Sequence, residues 1–152
     1  MLSLWILALT AATLFWVALT DFREFKVRNE FVAILAVLYL LYALCSGAWA
    51  SMQWNFAFAL LMLLGGAYAY SLRQIGGGDL KLLAVAFLWT GPWFAGPFVA
   101  LLLIFTGAYY VAARFGLAAA KETAAGLRIP LAPPLAGALI GALALGLIAP
   151  GA

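Results

Sequence analysis

Apolar residues fill this chain in long blocks, and the polar positions that interrupt them are few. Reading each block as a helix gives spans at roughly 3–20, 30–46, 54–72, 78–91, 95–114 and 130–149. The polar gaps fall at 21–29, 46–53, 73–78, 91–93 and 115–129. Blocks of this length with so few charges predict an all-α, polytopic membrane bundle of six transmembrane helices. Residues 1–152 read as a single domain, with no internal repeat or low-complexity tract. Within the last connection, the alanine-rich stretch 118–125 predicts a short surface helix. In the sixth span Gly137 and Gly141, flanked by Ala138 and Ala142, predict close approach by a neighbouring helix. Gly65 and Gly66 offer the third span the same contact, or are simply tolerated there. Pro130 suits the first turn of the last helix, where a missing N–H costs little. Trp5, Trp49, Trp54, Trp89 and Trp93 lie near span ends, the usual place for interfacial aromatics.

Composition strengthens this reading and narrows the chemistry. Hydrophobic residues make up 68% and charged residues 9%, and the mean hydropathy is +1.14, too apolar for a soluble domain. Arg23, Lys26, Arg28, Arg73, Lys81, Arg114, Lys121 and Arg128 all fall in or beside the first, third and fifth connections. By the positive-inside rule those connections are cytoplasmic and both termini lie outside. The first charge is Asp21, so no basic region precedes the first apolar block and that block is expected to be a retained span. The net charge of +3 reports topology; no basic solvated face offers nucleic acid a site. Cys45 is the single cysteine and histidine is absent, which rules out a disulfide framework, cysteine zinc sites and histidine chemistry. No metal and no cofactor is expected, the lipid bilayer is the expected surrounding, and nothing in the chain indicates an oligomeric state.

The acids carry the remaining information. There are five: Asp21, Glu24, Glu30, Asp79 and Glu122. The six-span topology places Asp21, closing the first span, and Asp79, opening the fourth, on the same cytoplasmic face. Two carboxylates on one face are the minimum for aspartyl protease chemistry. One takes a proton from water while its protonated partner hydrogen-bonds the scissile carbonyl. Nearby like charges resist ionising together, so the pair retains a proton. The fourth span is short, about 20 Å against a hydrocarbon core of about 30 Å, which sets Asp79 below the membrane surface. A carboxylate at that depth costs on the order of 3 kcal/mol and marks a functional position by default. Gly76, Gly77 and Gly78 would let a substrate backbone approach Asp79 closely. Two other readings stand beside this one. Asp79 could cap its helix and pair with Lys81 or Arg73, and Asp79 with Lys81 could form the ion site of a small transporter or the fixed point of a non-catalytic assembly factor.

The string Gly76-Gly77-Gly78-Asp79-Leu80-Lys81 resembles the GxGDxK motif of the type IV prepilin peptidase family of GxGD membrane aspartyl proteases. The stretch from Asp21 to Asn29 is similar to that family's other motif, with Arg28 where a proline is common. Residues 129–134 resemble the proline-bearing start of its last helix. The resemblance implies Asp21 and Asp79 as the catalytic aspartates. It also implies Gly76, Gly78 and Lys81 as motif residues at the substrate, with Gly77 at the motif's variable position. It implies further that the substrate is a pilin-like precursor, cut at its short basic leader on the cytoplasmic side of the inner membrane. The chain looks like the short form of tight-adherence (Flp) systems, without the paired-cysteine region and methyltransferase activity of longer members.

Overall fold

The structure, a computed structural model, describes residues 2–72, 76–123 and 126–148. The described elements are helices α1 (Leu2–Glu24), α2 (Asn29–Ser46), α3 (Trp49–Ser71), α4 (Gly77–Arg114) and α5 (Ala132–Ile148). A small antiparallel hairpin of β1 (Lys121–Thr123) and β2 (Gly126–Arg128) precedes α5. The helices α1 to α4 are long and apolar enough to cross a membrane, and α5 is apolar but shorter. Local chemistry sets the breaks. Phe25 leaves α1 at φ 54°, its N–H bonded to the Asp21 carbonyl at 2.8 Å. Gly47 ends α2 at φ 69°, a left-handed cap that glycine adopts without steric cost.

The long α4 is not one rod. At Gly91 the backbone takes φ 58° and ψ −172°, and Pro92 follows with no N–H to continue the helical ladder. The rings of Phe87 and Phe98 then meet edge-to-face at 5.4 Å. Eleven residues of unbroken helix would advance about 16 Å, so the chain must fold back between them. It does so as two antiparallel arms, 77–90 and 92–114. The break expected at 91–93 is therefore where α4 reverses.

The first arm is the centre of the bundle: Leu80, Leu82 and every residue of 85–91 are buried. It packs on α3 through Phe58 against Phe87, and on α2 through Trp89, whose indole N–H donates to the Leu35 carbonyl at 3.0 Å. The second arm runs antiparallel to α5. A Cβ at Gly137 would stand 3.1 Å from Phe105, one at Gly141 3.0 Å from Leu101, and one at Gly146 3.4 Å from Phe94. Ala138 and Ala142 are buried beside these glycines, so the small residues of α5 do admit a neighbour. Exposed Trp5, Leu9, Phe15, Leu60, Leu64 and Leu103 clothe the outer faces, the apolar surface that lipid chains would cover.

Three local expectations are corrected. Where a helix over 118–125 was expected, residues 118–120 are not helical and Lys121–Thr123 pairs as a strand with Gly126–Arg128; residues 124–125 lie outside the described residues. An isolated eight-residue helix is marginal, Gly126 disfavours continuing it, and the pairs Lys121↔Arg128, Glu122↔Leu127 and Thr123↔Gly126 satisfy backbone groups instead. Trp89 is 6% exposed, whereas Trp93 is 76% exposed and Trp5, Trp49 and Trp54 are exposed as well. The first arm turns at Gly91, so Trp89 is still in contact with α2. Finally, α5 begins at Ala132, two residues after Pro130, and Pro133 and Pro134 occupy its first turn. Of the second glycine pair, Gly66 lies against Leu80, whereas nothing lies within 4 Å of a Cβ built at Gly65.

Candidate active site

Asp21 ends the inner stripe of α1. Ile6, Thr10, Leu14, Val17 and Asp21 are the buried residues of that helix, spaced three or four apart on one face. The stripe carries the carboxylate into the bundle, where Asp21 is 3% exposed. Its Oδ2 accepts the backbone N–H of Ala132, the first residue of α5, at 3.0 Å. Helix N-termini have backbone donors without intrahelical partners and a partial positive charge, both suited to a carboxylate. Prolines at 130, 133 and 134 remove most N–H groups from this stretch, leaving those of Leu131 and Ala132. Tyr109, on the second arm of α4, lies within electrostatic reach of Asp21. Its hydroxyl donates to the Ala119 carbonyl at 3.1 Å, fixing the connection that leads to the hairpin.

Asp79 stands in the first turn of α4 and is partly buried. Gly76 precedes the helix in an extended conformation, φ −71° and ψ 145°, and its carbonyl accepts the Leu80 N–H at 3.0 Å. Gly78 turns its bare face to Val27: an added Cβ would be 3.2 Å from the Val27 Cβ and 3.3 Å from its carbonyl oxygen. Gly77 faces Tyr70, where a Cβ would make ordinary contact at 3.4 Å. Lys81 is exposed and its Nζ donates to Asn29 Oδ1 at 3.1 Å. The start of α4 is thus seated on the connection between α1 and α2. Arg73, the other expected partner of Asp79, lies outside the described residues.

Both aspartates consequently sit at one end of the bundle. Asp21 is joined to the start of α5, and the turn bearing Asp79 is joined to Val27 and Asn29, just beyond Asp21 in the chain. Glu24 and Glu30 are exposed at the same end, with Glu30 paired to Arg28 at 3.0 Å. Among the described residues no group of three or more His, Cys, Asp or Glu could hold a metal. A cavity of about 150 Å³ lies at the opposite end, between Leu7, Tyr42, Phe94 and Leu143. No acid lines it, so it is not where carboxylate chemistry occurs.

Reading the residues alone missed Ala132, Asn29, Val27 and Tyr109. The signal for Ala132 was present in the prolines around it, which restrict where a donor can come from. Asn29 and Val27 lie inside a motif whose acid drew the attention. Tyr109 gave no signal, because an aromatic near the end of an apolar span is ordinary.

The fold and the placement of its acids define a multi-pass membrane protein with its carboxylates concentrated at one end of a helical bundle. Residues 8–112 match the type IV leader peptidase family, and the chain belongs to that family, which makes it a peptidase. The matched stretch includes Asp21, Asp79, Lys81 and Tyr109; Ala132 lies beyond it. No curated protein and no solved structure matches the chain.

Proposed function

We propose that the protein is an aspartic endopeptidase that removes the short basic leader from pilin-like precursors at the cytoplasmic face of the inner membrane. Asp21 and Asp79 are its catalytic pair. The observation that carries this reading is the burial of Asp21 at the end of the α1 stripe, oriented by Ala132, at the same end of the bundle as Asp79. Both aspartates and the family match favour a peptidase over an ion-conducting protein.

The reversal at Gly91 supports a six-span reading. Counting the two arms of α4 as separate crossings gives six spans, with both termini outside and the Asp21 end inside. The first arm spans about 20 Å, less than the hydrocarbon thickness, so Asp79 is recessed from the membrane surface. Gly78 and Lys81 hold Asp79 in register by fixing the start of α4 on Val27 and Asn29. Exposed Glu24 and Glu30 offer opposite charge to a basic leader.

In the reaction, one carboxylate removes a proton from a water held between the pair. The water oxygen bonds to the scissile carbonyl carbon while the partner acid donates its proton to the carbonyl oxygen. The partner carboxylate then takes a hydroxyl proton as the C=O bond re-forms and the C–N bond breaks, and the acid that took the water's proton gives it to the leaving nitrogen. No redox partner enters the balance. The test is cleavage of a purified pilin-like precursor by detergent-solubilised enzyme. Asp21→Asn and Asp79→Asn each eliminate cleavage while the proteins insert and accumulate normally, and the double variant is no worse than either single one. Cleavage at near wild-type rate by either variant would sink the assignment.

A further inference from the structure

We infer that the Thr106 hydroxyl, on the second arm of α4, is a substrate-contacting group that hydrogen-bonds the peptide main chain beside the scissile bond. This rests on the proposed peptidase reading and deepens it.

Thr106 stands apart from the other threonines of the helices. Thr10, Thr13, Thr20 and Thr90 each donate to a carbonyl three or four residues back in their own helix, at 2.8–3.2 Å. Such back-bonding is the ordinary use of a threonine hydroxyl inside an apolar helix. The Thr106 Oγ1 is buried and has no hydrogen-bond partner among the described residues. A buried hydroxyl in that condition costs free energy, so stability does not explain why one is here.

Two rulers in the fold set its depth. Phe87 and Phe98 face one another across the two arms of α4. Thr106 lies eight residues past Phe98 and Asp79 eight residues before Phe87, about 12 Å of helix in each arm. The arms run antiparallel, so Thr106 and Asp79 come to about the same depth. The second ruler is α5. Gly137 stands against Phe105, the chain neighbour of Thr106, and Ala132, five residues earlier in α5, donates to Asp21. Thr106 is thus about 8 Å further into the bundle than that donor. It also lies on the inner face of its arm. Leu102, Thr106, Tyr109 and Ala113 are spaced three or four apart and share one side of the helix. Leu102 packs on the core, Ala113 is buried, and Tyr109 lies within electrostatic reach of Asp21.

A peptide hydrolysed between Asp21 and Asp79 must present its amides at this depth, in an apolar surrounding. There each main-chain N–H and C=O costs free energy unless it finds a partner. A threonine hydroxyl is both donor and acceptor, so it can meet either group. The hydroxyl that the fold leaves unbonded is therefore satisfied when substrate enters. The class of ligand is a main-chain amide, recognised without regard to its side chain.

Thr106→Val removes the hydroxyl at nearly constant volume, and Thr106→Ser keeps it. Each is made in the wild-type enzyme for cleavage kinetics. Each is also made in the Asp79→Asn protein, where affinity for uncut pilin-like precursor is measured directly. Thermal stability in detergent is read for every variant. Thr106→Val should raise both KM and the dissociation constant about three- to tenfold, with a smaller change in kcat. The same variant should raise Tm by about 2–4 °C, because it deletes a buried hydroxyl that has no partner in the free enzyme. Thr106→Ser should bind precursor as its parent does. Unchanged binding by Thr106→Val overturns the inference, and so does an equal loss in Thr106→Ser, which would mark the methyl group as the contact. A loss confined to kcat overturns it by assigning the hydroxyl to the water or the acids. A fall in Tm for Thr106→Val overturns it by showing that the hydroxyl is already bonded without substrate. The binding arm stands without cleavage: if wild-type protein binds precursor but never cuts it, the peptidase reading fails while the Thr106 contact is still decided.

Discussion

At the Gly91 end of the bundle, polar groups are enclosed by aromatic rings. Trp89 bonds the Leu35 carbonyl while its ring meets Tyr39 at 5.5 Å and Tyr42 at 5.6 Å, and Asn55 hydrogen-bonds Tyr39. At the Asp21 end the contacts are made by helix termini and connections. Ala132 donates to Asp21, Lys81 to Asn29 and Tyr109 to Ala119, with only the first of these fully buried. The glycines differ in the same way. Gly91 is required by its φ of 58° and by Asn55, which occupies the place a Cβ would take. Gly78 has ordinary helical geometry and is required only by the closeness of Val27. One end holds the reversal of α4 in place. The other holds the Asp21 carboxylate with a backbone N–H that the start of a helix leaves without an intrahelical partner.

Substitutions at the two ends should therefore separate stability from chemistry. The largest effect on stability is expected from Gly91→Ala, which forces a positive φ on a side chain and displaces Asn55. A loss of about 2–4 kcal/mol, read as lower thermal stability in detergent, would accompany near-normal cleavage per folded molecule. Gly78→Ala should do the converse. Its Cβ presses on Val27 and shifts Asp79, and a displacement of about 1 Å can slow cleavage on the order of a hundredfold. Gly77→Ala should be milder, because Tyr70 stands at contact distance. If Gly78→Ala kept full activity while Gly77→Ala lost it, the account of the α4 start would be wrong by a residue.

Smaller changes sharpen the same contrast. Trp89→Phe keeps an aromatic ring but removes the indole hydrogen bond to the Leu35 carbonyl, costing about 1 kcal/mol of stability and little activity. A large fall in cleavage rate with unchanged stability would contradict the structural role given to the Gly91 end. Lys81→Ala removes an exposed hydrogen bond to Asn29 and should slow cleavage only a few-fold, measured as initial rate per folded enzyme.

Much of this contrast was legible in the residues. The apolar blocks marked the helices and the break at 91–93 marked the reversal, while the string around Asp79 marked the family. Local pattern failed where long-range packing decided. Residues 118–125 have good helix propensity, yet at Lys121–Thr123 strand pairing with Gly126–Arg128 prevailed. Trp89 sits near the end of an apolar block, as an interfacial residue does, but the short first arm keeps it against α2. The donor to Asp21 comes from Ala132, 111 residues away, and a backbone N–H carries no side-chain signature. Gly78 was read as a glycine that a substrate backbone approaches, whereas what stands against it in the structure is Val27.

The most direct test of the central claim asks whether Asp21 and Asp79 approach one another as a working pair. Asp21→Cys and Asp79→Cys would be combined in a Cys45→Ser background and treated in membranes with a short bifunctional thiol reagent. The matched control is the pair Asn29→Cys and Lys81→Cys, whose native side chains touch at 3.1 Å. The account predicts intramolecular cross-linking of both double-cysteine proteins, seen as a mobility shift absent from each single-cysteine protein. Efficient cross-linking of the control with none between positions 21 and 79 would contradict it.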